Sequence, residues 1–221
     1  KIKSPDLAKI QYVNFRGSFT GFIRDFVTFG TIQTNLGTIR SDLNMKLPVG
    51  RDPVYSGTIA TDNFRLGEFL GDSDIGNVSL TGTVKGKGFD EKSRNTLIDG
   101  TINFADYKNY RYENISVKGR LDKKLFEGFA AIRDENANLD LNGIIDFNSA
   151  TPRFNLIADV ATINFKNLKL TKDSIGFRGK LNFNFTSANI DNFLGTARIT
   201  DAELTKDGNR LPFDSLIVTA A

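Results

Sequence analysis

The chain has 221 residues, 39% of them hydrophobic and 25% charged, with a net charge of +3. That is the composition of a chain that folds around apolar surface, and so small a positive excess gives no basic field that would make nucleic acid the main partner. Histidine and cysteine are absent, which excludes disulfides, thiolate nucleophiles, zinc sites built on Cys or His, and any general base titrating near neutrality at its ordinary pKa.

The first residues, Lys1-Ile2-Lys3, are not those of a signal peptide, and no apolar run approaches the roughly 18 residues of a membrane span. Strand-like alternation is clear from Ile39 onward. Leu43, Met45 and Leu47 recur at every second position, with Asp42, Asn44 and Lys46 between them, the pattern of a strand with one buried face. Ile59 follows two residues after Gly57. The phase then runs through Val78, Leu80, Gly82 and Val84, through Ile98, Gly100, Ile102 and Phe104, and through Ile115, Val117, Gly119 and Leu121. Leu139, Leu141, Gly143, Ile145 and Phe147 repeat it, then Phe154, Leu156, Ala158 and Val160, and finally Ile175, Phe177, Gly179, Leu181, Phe183 and Phe185. Strands of about nine residues, on the order of 30 Å long, are expected.

The connections are polar and turn-rich, as in Pro48-Val49-Gly50-Arg51-Asp52-Pro53 and Lys206-Asp207-Gly208-Asn209-Arg210, and links this short favour antiparallel neighbours in a meander. Glycine repeatedly occupies the apolar phase two residues before an aliphatic partner. It marks either strand bends that let a long sheet twist or room left on the inner face. Two segments break the alternation, Asn63 to Gly71 and Asn189 to Gly195. Each is expected to form a short helical turn, with Asp62 or Asn189 as N-cap and a glycine at the end. No linker divides the chain, so residues 1–221 are expected to be one continuous β unit. Because the last residues, Thr219-Ala220-Ala221, directly follow an apolar stretch, that unit reads as part of something longer.

A long sheet with one apolar face cannot leave that face bare, because each large side chain contributes about 1.5–3 kcal/mol when buried. A second sheet, closure of the sheet on itself, or a ligand must cover it, and no amphipathic helix is long enough to do so. Phenylalanine occurs 19 times and tyrosine 5 times, with no tryptophan; rings without polar handles suit an apolar lining. Two arrangements stay open, an ordinary sandwich core and an apolar groove. In the second, the lining is Leu43, Met45, Leu47, Ile59, Val78, Leu80, Val84, Ile98, Ile102, Phe104, Ile115, Val117 and Leu121, continued by Leu139, Leu141, Ile145, Phe147, Phe154, Leu156, Val160, Ile175, Phe177, Leu181, Phe183 and Phe185.

The phrases Ser79-Leu80-Thr81-Gly82-Thr83-Val84-Lys85-Gly86-Lys87-Gly88-Phe89, Asp140-Leu141-Asn142-Gly143-Ile144-Ile145-Asp146-Phe147 and Tyr110-Arg111-Tyr112-Glu113-Asn114-Ile115-Ser116-Val117-Lys118-Gly119-Arg120-Leu121 resemble the AsmA-like superfamily. The two segments that break the alternation add to the likeness, which extends over nearly the whole chain. Within the superfamily the chain most resembles the TamB family, inner-membrane subunits of translocation and assembly modules, in the form typical of Bacteroidetes. The resemblance implies an all-β antiparallel meander curled into an elongated half-pipe, a β-taco, with a hydrophobic interior. It implies a periplasmic location between inner and outer membrane, with the inner-membrane anchor outside this segment. It also implies phospholipid acyl chains as the cargo, and an outer-membrane barrel partner of the TamA type for the parent protein. A competing reading is a scaffold whose exposed sheet edge templates a strand of an outer-membrane protein.

Other motifs have plainer readings. Asp134-x-Asn136-x-Asn138 begins like a calcium loop but has Leu139 at the sixth position and Ile145 at the twelfth. Gly82-x-x-x-Gly86-Lys87-Gly88 is one residue short of a phosphate-binding loop and lies on a strand. Asp72 and Asp74 share a glycine-containing turn. Lys85, Lys87, Lys118, Arg120, Lys123, Lys124, Arg178 and Lys180 fall outside the apolar phase, as a solvated face or as an attraction for anionic headgroups. No cofactor, metal or catalysis is expected.

Overall fold

The computed structural model describes residues 7–187 and 193–220. It is an antiparallel meander of thirteen strands in one open sheet, in which the spatial order is the order of the chain. The strands are β1 (Val13–Phe22), β2 (Asp25–Thr34), β3 (Gly37–Lys46), β4 (Val54–Phe64), β5 (Ile75–Lys87), β6 (Asn95–Tyr107), β7 (Tyr110–Asp122), β8 (Leu125–Arg133), β9 (Ala137–Asp146), β10 (Arg153–Asn164), β11 (Ile175–Ser187), β12 (Phe193–Lys206) and β13 (Asn209–Ala220). Among the described residues, helix is confined to a 3₁₀ turn at Leu7–Lys9 and to α1 (Leu66–Leu70). The all-β meander read from the alternation is the architecture of the chain. Its contacts fall into two compact units, residues 1–116 and 117–221, and the boundary lies inside β7 rather than in a linker.

In the first unit the register brings one phase of six strands into straight rows. One row is Phe19, Thr28, Leu43, Gly57, Val84 and Ile98; a second is Phe15, Ile32, Ile39, Thr61, Leu80 and Ile102. Between them Gly17 faces Gly30 and Gly82 faces Gly100. A Cβ at Gly17 would collide with the carbonyl oxygen of Phe29, so glycine there lets neighbouring strands approach and the sheet coil. In the second unit Gly143 has φ +147° and faces Gly128 on one side and Leu156 on the other. Both positions favour the reading of glycine as a bend in the strand.

Bulges interrupt the pairing. β4 gains a residue between Thr61 and Phe64, where Asn63 has φ 51°, and β12 gains one opposite Arg178–Lys180, where Asp201 has φ 48°. Asn and Asp tolerate this left-handed conformation better than other residues with a Cβ, and each extra residue bends its strand. In β6 the extra residue is Asn103: Leu80 faces Ile102, but Ser79 faces Phe104 and Val78 faces Ala105. Phe104 is thereby turned to the opposite face from Ile102. There the Arg111 guanidinium lies over its ring, 3.8 Å from the centroid, and is held by the Asp106 carboxylate at 2.8 Å. Phe104 therefore does not line the apolar face as its spacing suggested.

The helical expectations are met in part. α1 ends as expected at Gly71, in the left-handed conformation with φ 66°. Its N-cap is Arg65, with no side-chain cap bond, rather than Asp62. Asp62 precedes the β4 bulge, and its carboxylate accepts a hydrogen bond from the Ser79 hydroxyl. In the second segment, residues 189–192 lie outside the described residues, while Phe193 to Gly195 open β12, so Gly195 ends no helix.

Candidate functional site

The candidate site is the apolar face that each unit builds from alternate residues of its strands. In the first unit it holds Leu43 and Met45 on β3, Ile59 on β4, Leu80 and Val84 on β5, and Ile98 and Ile102 on β6. Leu47 lies just beyond β3, where its N–H donates to the Arg24 carbonyl at 2.8 Å. Ile115 falls on β7 in this unit, and Val117 and Leu121 on β7 in the second. The second unit aligns Ile145, Phe154 and Phe185 in one row, Leu141, Ala158 and Leu181 in another, and Leu139 beside Val160. Leu156 faces Phe183, Phe177 faces Ile163, and Ile175 begins β11. Phe154 and Phe185 stack at 4.9 Å, and Phe147, in the turn after β9, meets Phe154 edge-on at 5.9 Å.

The side chains of this face are neither core nor surface. Of the residues expected to line it, Val78 and Val160 are buried and Phe147 is exposed; all the others are partly covered. Neighbouring strands shield their flanks, and among the described residues all strands lie in one sheet, with no second sheet facing it; α1 and Ile10 pack near Leu80 and Ile102. A sandwich core would bury them fully. Full burial of large side chains is confined to Leu36 and Leu168 among the described residues, both in connections between strands. Leu36, Phe64 and Val78 form a small cluster against which Ile10, Leu66, Phe69, Leu80 and Ile102 pack. That cluster closes one end of the strands of the first unit, and Val78 belongs to it rather than to an open face.

Several lining residues escape the spacing argument. Phe15 and Phe19 on β1, Phe26 and Ile32 on β2, Phe126 on β8, Ile199 on β12 and Leu216 on β13 occupy the same rows. β1 carried the signal, since Val13, Phe15, Gly17 and Phe19 alternate as the other strands do. β2 did not: Val27 and Phe29 fill the opposite phase, so only the register decides which side faces in.

The other face is laced with ion pairs across strands, and among them Phe29, Leu97, Ile157 and Ile217 stand exposed. Arg120 meets Glu127 at 3.0 Å, Lys180 meets Asp201 at 2.9 Å, and Arg153 meets Asp146 at 2.6 Å. Glu203 lies between Arg178 at 3.2 Å and Arg210 at 2.9 Å. Hydrogen bonding to Arg178, and with it Arg210, holds the Glu203 carboxyl below its ordinary pKa, and Arg153 does the same for Asp146. Asp134 and Asn136 form the β8–β9 turn, the Asp134 carboxylate accepting the Asn136 N–H at 2.8 Å. Asp72 likewise accepts the Asp74 N–H at 3.0 Å, so both acidic motifs serve as turns.

Comparison with family models, with curated proteins and with solved structures finds no match to this chain.

Proposed function

We propose that this chain is a periplasmic segment of an AsmA-like protein of the TamB type, and that its apolar face conducts phospholipid between inner and outer membrane in support of outer-membrane assembly. The observation that carries the reading is the row of aliphatic and aromatic side chains left partly open along one face of the sheet. Acyl chains supply the missing cover. Each methylene transferred onto such a face contributes about 0.8 kcal/mol, so a tail gains several kcal/mol without a specific polar contact. Weak contacts repeated from strand to strand hold a tail and let it slide, while headgroups stay in water. No chemistry is performed. The inner-membrane anchor and the barrel partner of the TamA type belong to the parent protein in this proposal.

Native mass spectrometry of the purified chain, with extraction and identification of lipid, tests it. The chain is expected to carry phospholipid, and Phe183→Asp or Ile145→Asp to lose it while the strand signal in circular dichroism persists. Lipid retained by a folded charged variant, or a wild-type chain repeatedly free of lipid, overturns the reading.

A second reading is favoured by β1, which among the described residues pairs with β2 alone and is exposed at every residue. Such an edge can template an extended strand of an outer-membrane protein. Photo-crosslinkers placed on β1 and at Phe183 separate the two, because a chaperone traps peptide at the edge and a conduit traps acyl chain on the face.

A further inference from the structure

Three alternate turns of the first unit, those after β1, β3 and β5, share an end and a composition. The register aligns Phe22, Asp25, Lys46, Val54, Lys87 and Asn95 in one terminal row, so the turns after β1, β3 and β5 project side by side from a straight rim. Each carries a large apolar side chain in the open. Ile23 is 85% exposed, Phe22 82% and Val49 74%, the highest values among the large hydrophobic residues described, and Phe89 is 58% exposed although it stacks on Tyr55. Beside them stand Arg24, Arg51, Lys85 and Lys87, all exposed. Of the neighbouring cations, Lys46 is paired with Asp25 at 3.1 Å. Acids share the rim, since Asp52 and Glu91 are exposed and the Asp90 carboxylate stays charged while accepting the N–H groups of Lys92 and Ser93. The positive excess therefore rests on Arg24, Arg51, Lys85 and Lys87 together with Lys92 and Arg94. At the other end of these strands the turns behave oppositely: Leu36 is 1% exposed, and Leu66 and Phe69 of α1 pack into the same cluster.

Of these apolar tips Phe89 is stacked on Tyr55, while Phe22, Ile23 and Val49 stand largely uncovered. They do not reach the cluster around Leu36, and they stand at the rim rather than among the rows of the apolar face. We infer that this rim is a docking surface for an anionic lipid bilayer. The tips Phe22, Ile23, Val49 and Phe89 enter the interfacial region, while Arg24, Arg51 and Lys87 meet the phosphates. Apolar tips flanked by cations match an interface in which acyl carbon lies directly below anionic oxygen. A bilayer is fluid and accepts three separate tips without a complementary shape. The inference is independent of the conduit: it requires a membrane surface at the rim, whatever the apolar face carries.

Co-sedimentation of the full chain with vesicles of phosphatidylcholine and phosphatidylglycerol in a three-to-one ratio tests it, beside vesicles of phosphatidylcholine alone. The chain is expected to pellet with the mixed vesicles, to bind the neutral ones weakly, and to be released as salt is raised. Two variants, Ile23→Ser with Val49→Ser and Arg24→Glu with Arg51→Glu, are each expected to lower the bound fraction roughly tenfold. Both change exposed turn positions, and an unchanged thermal transition confirms that each still folds. Phe183→Asp, on the apolar face of the other unit, is expected to pellet like the wild type. A wild-type chain that ignores both vesicles overturns the inference, as do tip variants that bind as well as the wild type. Loss of binding only with Phe183→Asp assigns the lipid contact to the apolar face and removes it from the rim. A dimer that the tip variants dissolve, in a chain that leaves vesicles alone, makes the rim a protein interface and equally overturns it.

Discussion

Glu203 shows how the polar face is held at the level of single residues. Its carboxylate bridges Arg178 on β11 and Arg210 on β13, and its pKa is lowered chiefly by the hydrogen bond from Arg178. Asp106 is lowered by Arg111, and Asp146 by Arg153 and then by the Asn148 N–H. All three are depressed in the folded chain and ordinary in the unfolded one, near 4. The unfolded state therefore binds more protons as the pH falls through that range, and stability rises with pH there. Their contribution is complete above the unfolded value and is lost as the pH drops through the folded one. Urea midpoints measured from pH 6 down to pH 2 are expected to fall steeply below about pH 4. Glu203→Gln is expected to flatten that limb. An equal slope in wild type and Glu203→Gln would remove the ion-pair explanation.

At the scale of the element, the apolar face and the cluster at the strand ends differ in what covers them. Leu36 is fully enclosed between Phe64, Val78 and the side chains packed on them, so Leu36→Ala leaves a sealed cavity and is expected to cost about 2–5 kcal/mol. Leu43 lies in the middle of the lining and is only partly covered. Leu43→Ala opens no sealed void and is expected to cost about 1 kcal/mol, since only part of its transfer energy is at stake. Chemical denaturation of the lipid-free chain compares them, and equal costs would mean that protein covers Leu43 as thoroughly as Leu36. The same contrast explains what could be read in the residues themselves. Alternation and short polar turns announce a meander, because side-chain period and loop length are local properties. The face is harder to read. Ile102-Asn103-Phe104 reads as unbroken alternation, yet the bulge at Asn103 turns Phe104 away, and only the partner strand determines that. Asn63 and Asp201 at least belong to residue types that tolerate positive φ. β2 presents apolar residues in both phases, so Phe26 and Ile32 join the lining through pairing with β1 and β3 rather than through their own pattern. α1 starts after Arg65 rather than after the Asp62 expected by capping chemistry, because Asp62 is still paired within β4, a property of the sheet and not of the local phrase.

Within each unit, contacts between strands run from one strand to the next in sequence, and α1 adds contacts to β5 and to the 3₁₀ turn. Each paired interface is satisfied locally, so stability accumulates as a sum of neighbouring terms, as in repeat proteins, rather than around one central core. In such a chain damage is expected to stay where it is made. Leu36→Ala removes packing from the β2–β5 end cluster and leaves every pairing of β9 to β12 intact. Native-state hydrogen exchange is expected to show lower protection across β2 to β5 in this variant and unchanged protection across β9 to β12. The wild-type gradient should run from weakly protected β1, which among the described residues pairs with β2 alone, toward the strands paired on both sides. Denaturant unfolding followed by different probes should then give transitions that do not coincide. If Leu36→Ala instead lowers protection equally in all thirteen strands, the sheet unfolds as one cooperative body and the nearest-neighbour account of its stability is wrong.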